Sequence, residues 1–157
     1  MTGPQRPVRP DAARAALRDG DWSALRADAA RVRLAVFVAE QGFSEALEWD
    51  AYDPVSLHVV AYADDAPIAT GRLLPDGRIG RMAVLRDWRG CGVGARLLEH
   101  LVSRAAARGD GQVVLSAQVR AIGFYERHGF RASGPVHDDE GVPHRTMHRP
   151  LLGSGAP

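Results

Sequence analysis

The stretch Arg89-Gly90-Cys91-Gly92-Val93-Gly94 lies between a strand-like run at residues 79–85 and the apolar stripe of a long helix. Closely spaced glycines allow a tight turn in which backbone N–H groups approach a ligand without intervening side chains. A helix that begins at such a turn adds unpaired N–H groups and the positive end of its dipole. The stretch therefore predicts a phosphate or pyrophosphate site, although a simple tight surface turn uses the same residues.

The segments around this loop predict an α+β fold. Residues 57–63, 67–74 and 78–85 are strand-like runs with short links and predict an antiparallel meander. The helix after the loop is expected to stop at Gly109. Because residues 112–118 follow that helical crossover, we expect them to lie parallel to the strand before the loop. The apolar stripe of the crossover helix comprises Val93, Leu97, Leu98, Leu101, Val102 and Ala105.

Two further helices are predicted, one before the meander and one after the parallel strand. The first is capped by Asp21 or Ser23, and a bent helix or helix-loop follows it over residues 37–47. The second covers residues 120–127 and ends at Gly129.

A strand pair and two tails are expected toward the ends of the chain. Residues 130–132 and 146–152 predict a last strand pair around an acidic loop at residues 137–140. Residues 1–11 predict a disordered tail, and residues 153–157 a second tail. A single domain is therefore expected at residues 12–152.

Composition argues against several classes of protein. The chain is 45% hydrophobic and 25% charged, which is typical of a globular protein. No apolar run approaches the ~20 residues of a membrane span, and a formal charge of +1 gives no reason to expect a nucleic acid or membrane partner. One cysteine, Cys91, excludes an internal disulfide and suits a reducing cytoplasm. We therefore expect a cytoplasmic enzyme or binding protein.

Two common phosphate-binding motifs fit the loop poorly. A Walker-type loop needs a Gly-Lys-Ser/Thr ending, and all 20 basic residues of this chain are arginine. Gly90, Gly92 and Ala95 match the dinucleotide pattern G-x-G-x-x-A, but the next strand ends at Gln118 without the acidic residue that a ribose requires. The meander before the loop also differs from a βαβ unit, which disfavours a dinucleotide fold.

The loop resembles R/Q-x-x-G-x-G/A, the acetyl-CoA signature of the GNAT superfamily of acyltransferases. The preceding strand ends Arg-Met-Ala-Val at residues 81–84, as that family's fourth strand commonly does. Residues 121–130 resemble the family segment A-x-x-F-Y-x-x-x-G-F. The chain also resembles the narrower ElaA-like and YjcF-like branch of this family, at residues 32–33, 36–38, 40–41, 48, 50, 58, 115–118 and 141–144.

The resemblance implies a GNAT-type α/β sandwich. In that fold a mixed, mostly antiparallel central sheet contains a splayed parallel strand pair and is flanked by helices. Acetyl-CoA would be the acyl donor, its pantetheine arm bonded by backbone groups of residues 82–84 and its pyrophosphate by N–H groups of residues 89–95. The implied donor-binding residues are Met82, Ala83, Val84, Arg89, Gly90, Cys91, Gly92, Val93, Gly94, Ala95, Ser116, Phe124 and Tyr125.

The resemblance further implies direct attack of an amine on the thioester in a ternary complex. By this resemblance Tyr125 lies where the family has a general acid. A phenol can serve as an acid because it is protonated at neutral pH. The alternative role of Tyr125 is packing against Phe124. The base is less constrained by the sequence: His144 is our first choice and Glu40 a second, and a relaying water is a further alternative. Other base candidates are Glu48, Asp50 and His58, for which a solvated acidic face or a core histidine is the competing interpretation.

Partners are predicted only in outline. Acidic residues at 40, 45, 48 and 50 suit a cationic acceptor, unless arginines 26, 31 and 33 pair with them. No metal site is expected, because prolines at 143 and 150 oppose the helix that would align His144 with His148. A homodimer is compatible with family habit, although no sequence feature fixes it. The competing function is a non-catalytic acyl-CoA sensor or partner-binding module on the same fold.

Overall fold

A computed structural model describes residues 14–45 and 49–151 of the 157-residue chain. The predicted disordered tails, and residue 48 among the base candidates, lie outside these ranges. The strands and helices follow in the order β1 (Ala16–Gly20), α1 (Trp22–Arg33), β2 (Leu57–Ala63), β3 (Ala66–Leu73), β4 (Ile79–Val84), α2 (Val93–Ala107), β5 (Gln112–Gln118), α3 (Ile122–Arg127), β6 (Arg131–Asp139) and β7 (Val142–Pro150). A π-helical segment, Leu34–Glu40, continues α1, and the short 3-10 turns are Asp53–Val55, Arg86–Trp88 and Val119–Ala121.

The strands form two antiparallel sheets, ordered β1-β2-β3-β4 and β5-β7-β6. The sheets meet at a parallel bridge between Arg78 and Val114, where Val114 N also donates to Gly77 O over 3.1 Å. Beyond this bridge β4 and β5 share no ladder in the described residues, so the two strands run in parallel and splay apart. The predicted α+β class, the meander and the parallel step are confirmed.

Gly77 allows the two sheets to meet. Its φ is +91°, and a Cβ at this position would lie 2.8 Å from the backbone oxygen of Gln112. A side chain would therefore collide with backbone that cannot move without disturbing β5. The apex of the splayed pair depends on this close approach.

The core lies between the sheets and α2. The six residues of the predicted stripe on this helix are all buried, and they pack with residues of β2, β3 and β5 in the main hydrophobic cluster. The helix ends with hydrogen bonds from Gly109 N to Ala106 O and from Asp110 N to Ala105 O, both 3.0 Å. No helix in the described part of the chain is long and apolar enough to cross a bilayer.

The sequence interpretation missed β1. Residues 16–20 pair antiparallel with β2, from Ala16 opposite Tyr62 to Gly20 opposite His58. The strand shows little alternation of burial, because it lies at the sheet edge and is fixed by its long-range pairing with β2. The predicted cap of α1 is confirmed, since Asp21 Oδ1 accepts a hydrogen bond from Ala24 N at 2.9 Å.

The last strand pair is longer than predicted. β6 and β7 extend to a turn at residues 140–141, so residues 137–139 belong to β6 instead of an acidic loop. Residues 134–139 are exposed and lack the apolar alternation that marks a strand in sequence. β7 is the central strand of its sheet and carries the buried Met147.

Candidate active site

A cavity of about 1140 Å³ occupies the space between the diverging strands. Its walls are residues 79–84 of β4 and parts of β5 and β7, and its mouth is formed by the glycine loop, α3 and Gln41. This volume exceeds the roughly 300–1,000 Å³ of most small-molecule sites. The cavity therefore has room for an extended ligand together with a second, smaller molecule.

The glycine loop presents backbone donors at one end of this cavity. Gly92 caps α2 with φ +97°, and Gly90 has φ +74°, values that other residues rarely adopt. The first helical hydrogen bond of α2 is donated by Arg96 N to Gly92 O over 3.1 Å. The N–H groups of residues 93–95 precede it and have no acceptor within the helix. They form a site suited to a phosphate group.

Gly94 keeps the passage from the loop into the cavity open. A Cβ at this position would lie 3.6 Å from Val84 Cγ2 and 3.8 Å from Phe124 Cζ. A larger side chain would fill the space between β4 and α3. The loop and the strand edge are thereby connected by a channel that an extended arm can follow.

Backbone groups on the outer edge of β4 face this channel, and one of them, Val84 O, accepts a hydrogen bond from Arg89 Nε at 2.9 Å. Leu85 N donates to Ile68 O of the neighbouring strand β3 at 2.9 Å. Because the backbone groups of successive residues alternate in direction in an antiparallel pair, those of Val84 point away from β3. A bulge occurs at Arg81, which has φ +50°, because the register shifts between Thr70 and Arg72 of β3. Bulges of this kind re-aim strand groups next to sites.

Tyr125 lines the cavity from α3. Its ring packs edge-on against Phe124 at 5.1 Å and Phe130 at 5.8 Å between centroids. Burial raises the pKa of its phenol to about 12. Among the described residues its hydroxyl has no hydrogen-bond partner, so it is a protonated donor available to a ligand.

His144 lines the cavity from β7 and is only 8% exposed. Its Nδ1 donates to Val142 O over 2.8 Å, since a carbonyl can only accept. A neutral ring then carries its lone pair on Nε2, for which the described residues provide no partner. His144 can therefore accept a proton at Nε2. The ring stacks with His137 at 6.2 Å, and Ser116 Oγ lies 3.2 Å from His137 Nε2.

The cavity brings together most of the residues that the sequence nominated. Glu40, Cys91 and Val93 are the exceptions: Glu40 is paired with Arg89, the Cys91 thiol donates to Trp88 O at 2.9 Å, and Val93 is buried in the core. The nominated residues that line the cavity are Met82, Ala83, Val84, Arg89, Gly90, Gly92, Gly94, Ala95, Ser116, Phe124, Tyr125 and His144.

Two further base candidates lie in a buried ionic cluster instead of the cavity. His58 Nε2 lies 2.8 Å from Asp53 O, and burial lowers the pKa of this imidazole. Asp50 receives two hydrogen bonds from Arg72, of 2.7 and 2.8 Å, which together with Coulombic attraction outweigh its desolvation and lower the pKa of its carboxyl to about 2. Both side chains are held by the fold and are poor bases for an amine.

The cluster also corrects the interpretation of the acidic helix-loop. Arg33 donates to the buried Asp53 at 3.0 Å, and Arg72 donates to the same carboxylate at 2.8 Å. Since Asp50 and Glu40 are likewise paired with arginines, neither supplies free negative charge for a cationic acceptor. Sequence reasoning gave no site role to several charged residues that line the cavity: Arg72, Arg78, Arg81, Arg120, Asp139 and Glu140.

Comparison with known proteins identifies this architecture. A family model described as the acetyltransferase (GNAT) domain matches residues 24–151. The splayed strands, the glycine loop and this match define the class of protein as an acyltransferase. The chain belongs to the GNAT acetyltransferase family, whose members use acyl-CoA donors and, in general, amine acceptors.

Individual relatives agree with this assignment. The chain is 37% identical over 124 residues to a Bacillus subtilis protein named as an uncharacterized N-acetyltransferase, YjcF; the match covers 76% of this chain and 89% of YjcF. The crystal structure of a Lactobacillus plantarum protein named as an N-acetyltransferase superposes with a TM-score of 0.81 at 34% identity, covering 88% of this chain and 99% of that one. Escherichia coli ElaA gives a TM-score of 0.78 at 27% identity, covering 86% and 99%.

Proposed function

We propose that this chain is an acetyl-CoA-dependent N-acetyltransferase that acts on a primary amine of a small molecule or peptide. The observation that carries the proposal is the glycine loop, whose N–H groups at the start of α2 open onto a channel between the edges of β4 and β5, which share no ladder in the described residues. A pyrophosphate suits the loop, and an extended amide-containing arm suits the strand edges. Coenzyme A combines both groups in one molecule.

The donor is held mainly by backbone groups in this proposal. The N–H groups of residues 93–95 bind the pyrophosphate, and the outward backbone groups of residues 82–84 bind the pantetheine arm. The thioester of acetyl-CoA supplies the electrophilic carbon. A backbone N–H of the β4 edge stabilises the negative charge that develops on the thioester oxygen.

Two side chains carry the proton transfers. His144 Nε2 removes a proton from the acceptor amine, directly or through a water, so that the amine attacks with its lone pair. Tyr125 donates the proton that the departing CoA sulfur requires, because its raised pKa keeps the phenol protonated. We give Glu40 no proton-transfer role, since both of its carboxylate oxygens accept from Arg89. We propose the cytoplasm, where acetyl-CoA is available and the single thiol stays reduced.

The proposal is tested by incubating the protein with acetyl-CoA and a panel of amines while free thiol is measured. We expect thiol release that depends on both the amine and the protein, and an N-acetylated product by mass spectrometry. Binding of CoA without turnover of any amine would favour the acyl-CoA sensor. Protection from unfolding by NADH but not by CoA would overturn both functions.

A further inference from the structure

The guanidinium of Arg89 joins three segments at the mouth of the cavity. Nε donates to Val84 O at the end of β4 over 2.9 Å. Nη1 and Nη2 donate to the two carboxylate oxygens of Glu40, at 2.5 and 2.8 Å, at the end of the π-helical segment. Arg89 itself begins the glycine loop, so these contacts fix the point from which the loop departs.

The loop has few other means of holding its shape. Gly90 and Gly92 carry no side chains, and a Cβ at Gly90 would meet nothing within 4 Å. Glycine-rich segments lose more conformational entropy on ordering than other segments do. A planar, bidentate arginine-carboxylate pair restrains direction as well as distance. The Arg89–Glu40 pair therefore restrains the direction in which the loop leaves β4, and the hydrogen bond from the Cys91 thiol to Trp88 O at 2.9 Å is a second restraint within the loop.

The π-helical segment is itself held from the opposite side of the cavity. Gln41 Oε1 accepts from Gln118 Nε2 at the end of β5 over 3.4 Å. The oxygen of the same Gln118 side chain accepts from Arg120 Nε at 2.9 Å. Glu40 and Gln41 thus span the cavity mouth between the two diverging strands, which gives Glu40 a fixed position from which to hold Arg89.

We propose that Glu40 is a positioning residue that acts through Arg89 to hold the glycine loop in its pyrophosphate-binding conformation. This inference rests on the proposed function for the identity of the ligand. The hydrogen bond from Arg89 also lowers the pKa of the Glu40 carboxyl, which keeps the partner charged at neutral pH. Glu40 then contributes to donor affinity and takes no proton in the reaction.

The test measures CoA binding by isothermal titration calorimetry, which requires no turnover. We expect Glu40→Gln to weaken CoA binding about fivefold to tenfold, while kcat at saturating acetyl-CoA stays within about twofold, with an unchanged pH profile. Glu45→Gln is the matched control, because Glu45 is an exposed acid that follows the π-helical segment in the chain. It should bind CoA as the unaltered protein does.

A double-mutant cycle separates action through Arg89 from general damage. In an Arg89→Gln background, Glu40→Gln should produce no further loss of CoA affinity. An equal loss in that background, or unchanged affinity in the single variant, overturns the proposal. A fall in kcat with normal CoA affinity would instead make Glu40 a base. If the unaltered protein binds CoA but acetylates no amine, only the proposed function fails; if it binds no CoA, both fail.

Discussion

Tyr125 and His144 reach one cavity from different elements, and each retains an unused polar atom there. The phenol of Tyr125 comes from α3, and the Nε2 atom of His144 comes from β7. One group is a protonated donor and the other an acceptor, which are the two roles that acyl transfer to an amine requires. Their contributions can be tested one residue at a time.

Tyr125→Phe should lower kcat about 10- to 100-fold with little change in the KM for acetyl-CoA, because it removes a proton donor and keeps the ring packing. The raised pKa of about 12 also predicts that phenol ionisation does not reduce the rate below about pH 10. Steady-state thiol release across pH provides the measurement. A variant with full kcat at every pH would assign Tyr125 to packing alone.

Tyr62→Phe is the control for this experiment. The pKa of Tyr62 is likewise raised to about 12, by burial and by its hydrogen bond to Asp28 at 2.6 Å, but the residue does not line the cavity. We expect the substitution to cost about 1 kcal/mol of stability and to leave kcat unchanged. Equal losses of kcat in both tyrosine variants would indicate a general effect on the fold.

His144→Gln should lower kcat/KM about 100-fold, since glutamine cannot take the amine proton. His148→Gln is the control, because His148 lies on the same strand and does not line the cavity. An unchanged rate in His144→Gln would show that water carries out the transfer.

At the scale of elements, the apex between β4 and β5 determines where the cavity opens. Gly77→Ala should destabilise the fold by roughly 1–3 kcal/mol, because it combines a positive φ with a collision against the backbone of Gln112. Urea unfolding measures the effect. Gly111→Ala, at which a Cβ would meet nothing within 4 Å, should change stability little. A Gly77 variant as stable as the control would show that the apex tolerates a side chain.

Local sequence patterns predicted some helices and strands correctly and missed others. The α2 stripe was predicted residue by residue, because helical periodicity and burial coincide when one face packs on a sheet. β1 and most of β6 escaped prediction because they are edge strands with no buried residue, unlike the edge strands β4 and β5. Their register is set by hydrogen bonds to β2 and β7. A solvated strand with a partner on one side only lacks the alternation of apolar and polar residues from which such a strand could be predicted.

For the whole molecule, the buried arginine-aspartate cluster ties α1 and the Asp53–Val55 turn to β3. Hydrogen bonds from Arg72 lower the pKa of Asp50 from the usual 3.8 to about 2. A carboxyl with a lowered folded-state pKa stabilises the fold above its unfolded pKa, and this contribution is lost as the pH falls through its folded pKa. Stability should therefore decrease between about pH 4 and pH 2.

Asp50→Asn should lower the free energy of unfolding at pH 7 by roughly 1–3 kcal/mol, because Arg72 loses one of its two charged partners and keeps only Asp53. It should also flatten the decrease below pH 4. Urea unfolding at pH 7, 4 and 2.5 checks both effects. Asp76→Asn, which removes the exposed partner of Arg78, should have little effect at pH 7. If the free energy of unfolding of Asp50→Asn fell below pH 4 as steeply as that of the unaltered protein, groups other than Asp50 would cause the acid sensitivity.

The sequence by itself indicated the acyl-CoA-using family, because the glycine loop that resembles the family signature consists of consecutive residues whose backbone conformation glycine permits. It also determined α2, the meander and a cap of α1 at Asp21 or Ser23, of which the structure shows Asp21; all of these rest on neighbours in the chain. Only the tertiary structure distinguished the two histidine candidates for the base: His144 lines the cavity, and His58 is buried in the core. It alone paired Glu40 with Arg89, which lies 49 residues away. Side-chain partners across that distance are set by the packing of elements, which no local pattern encodes.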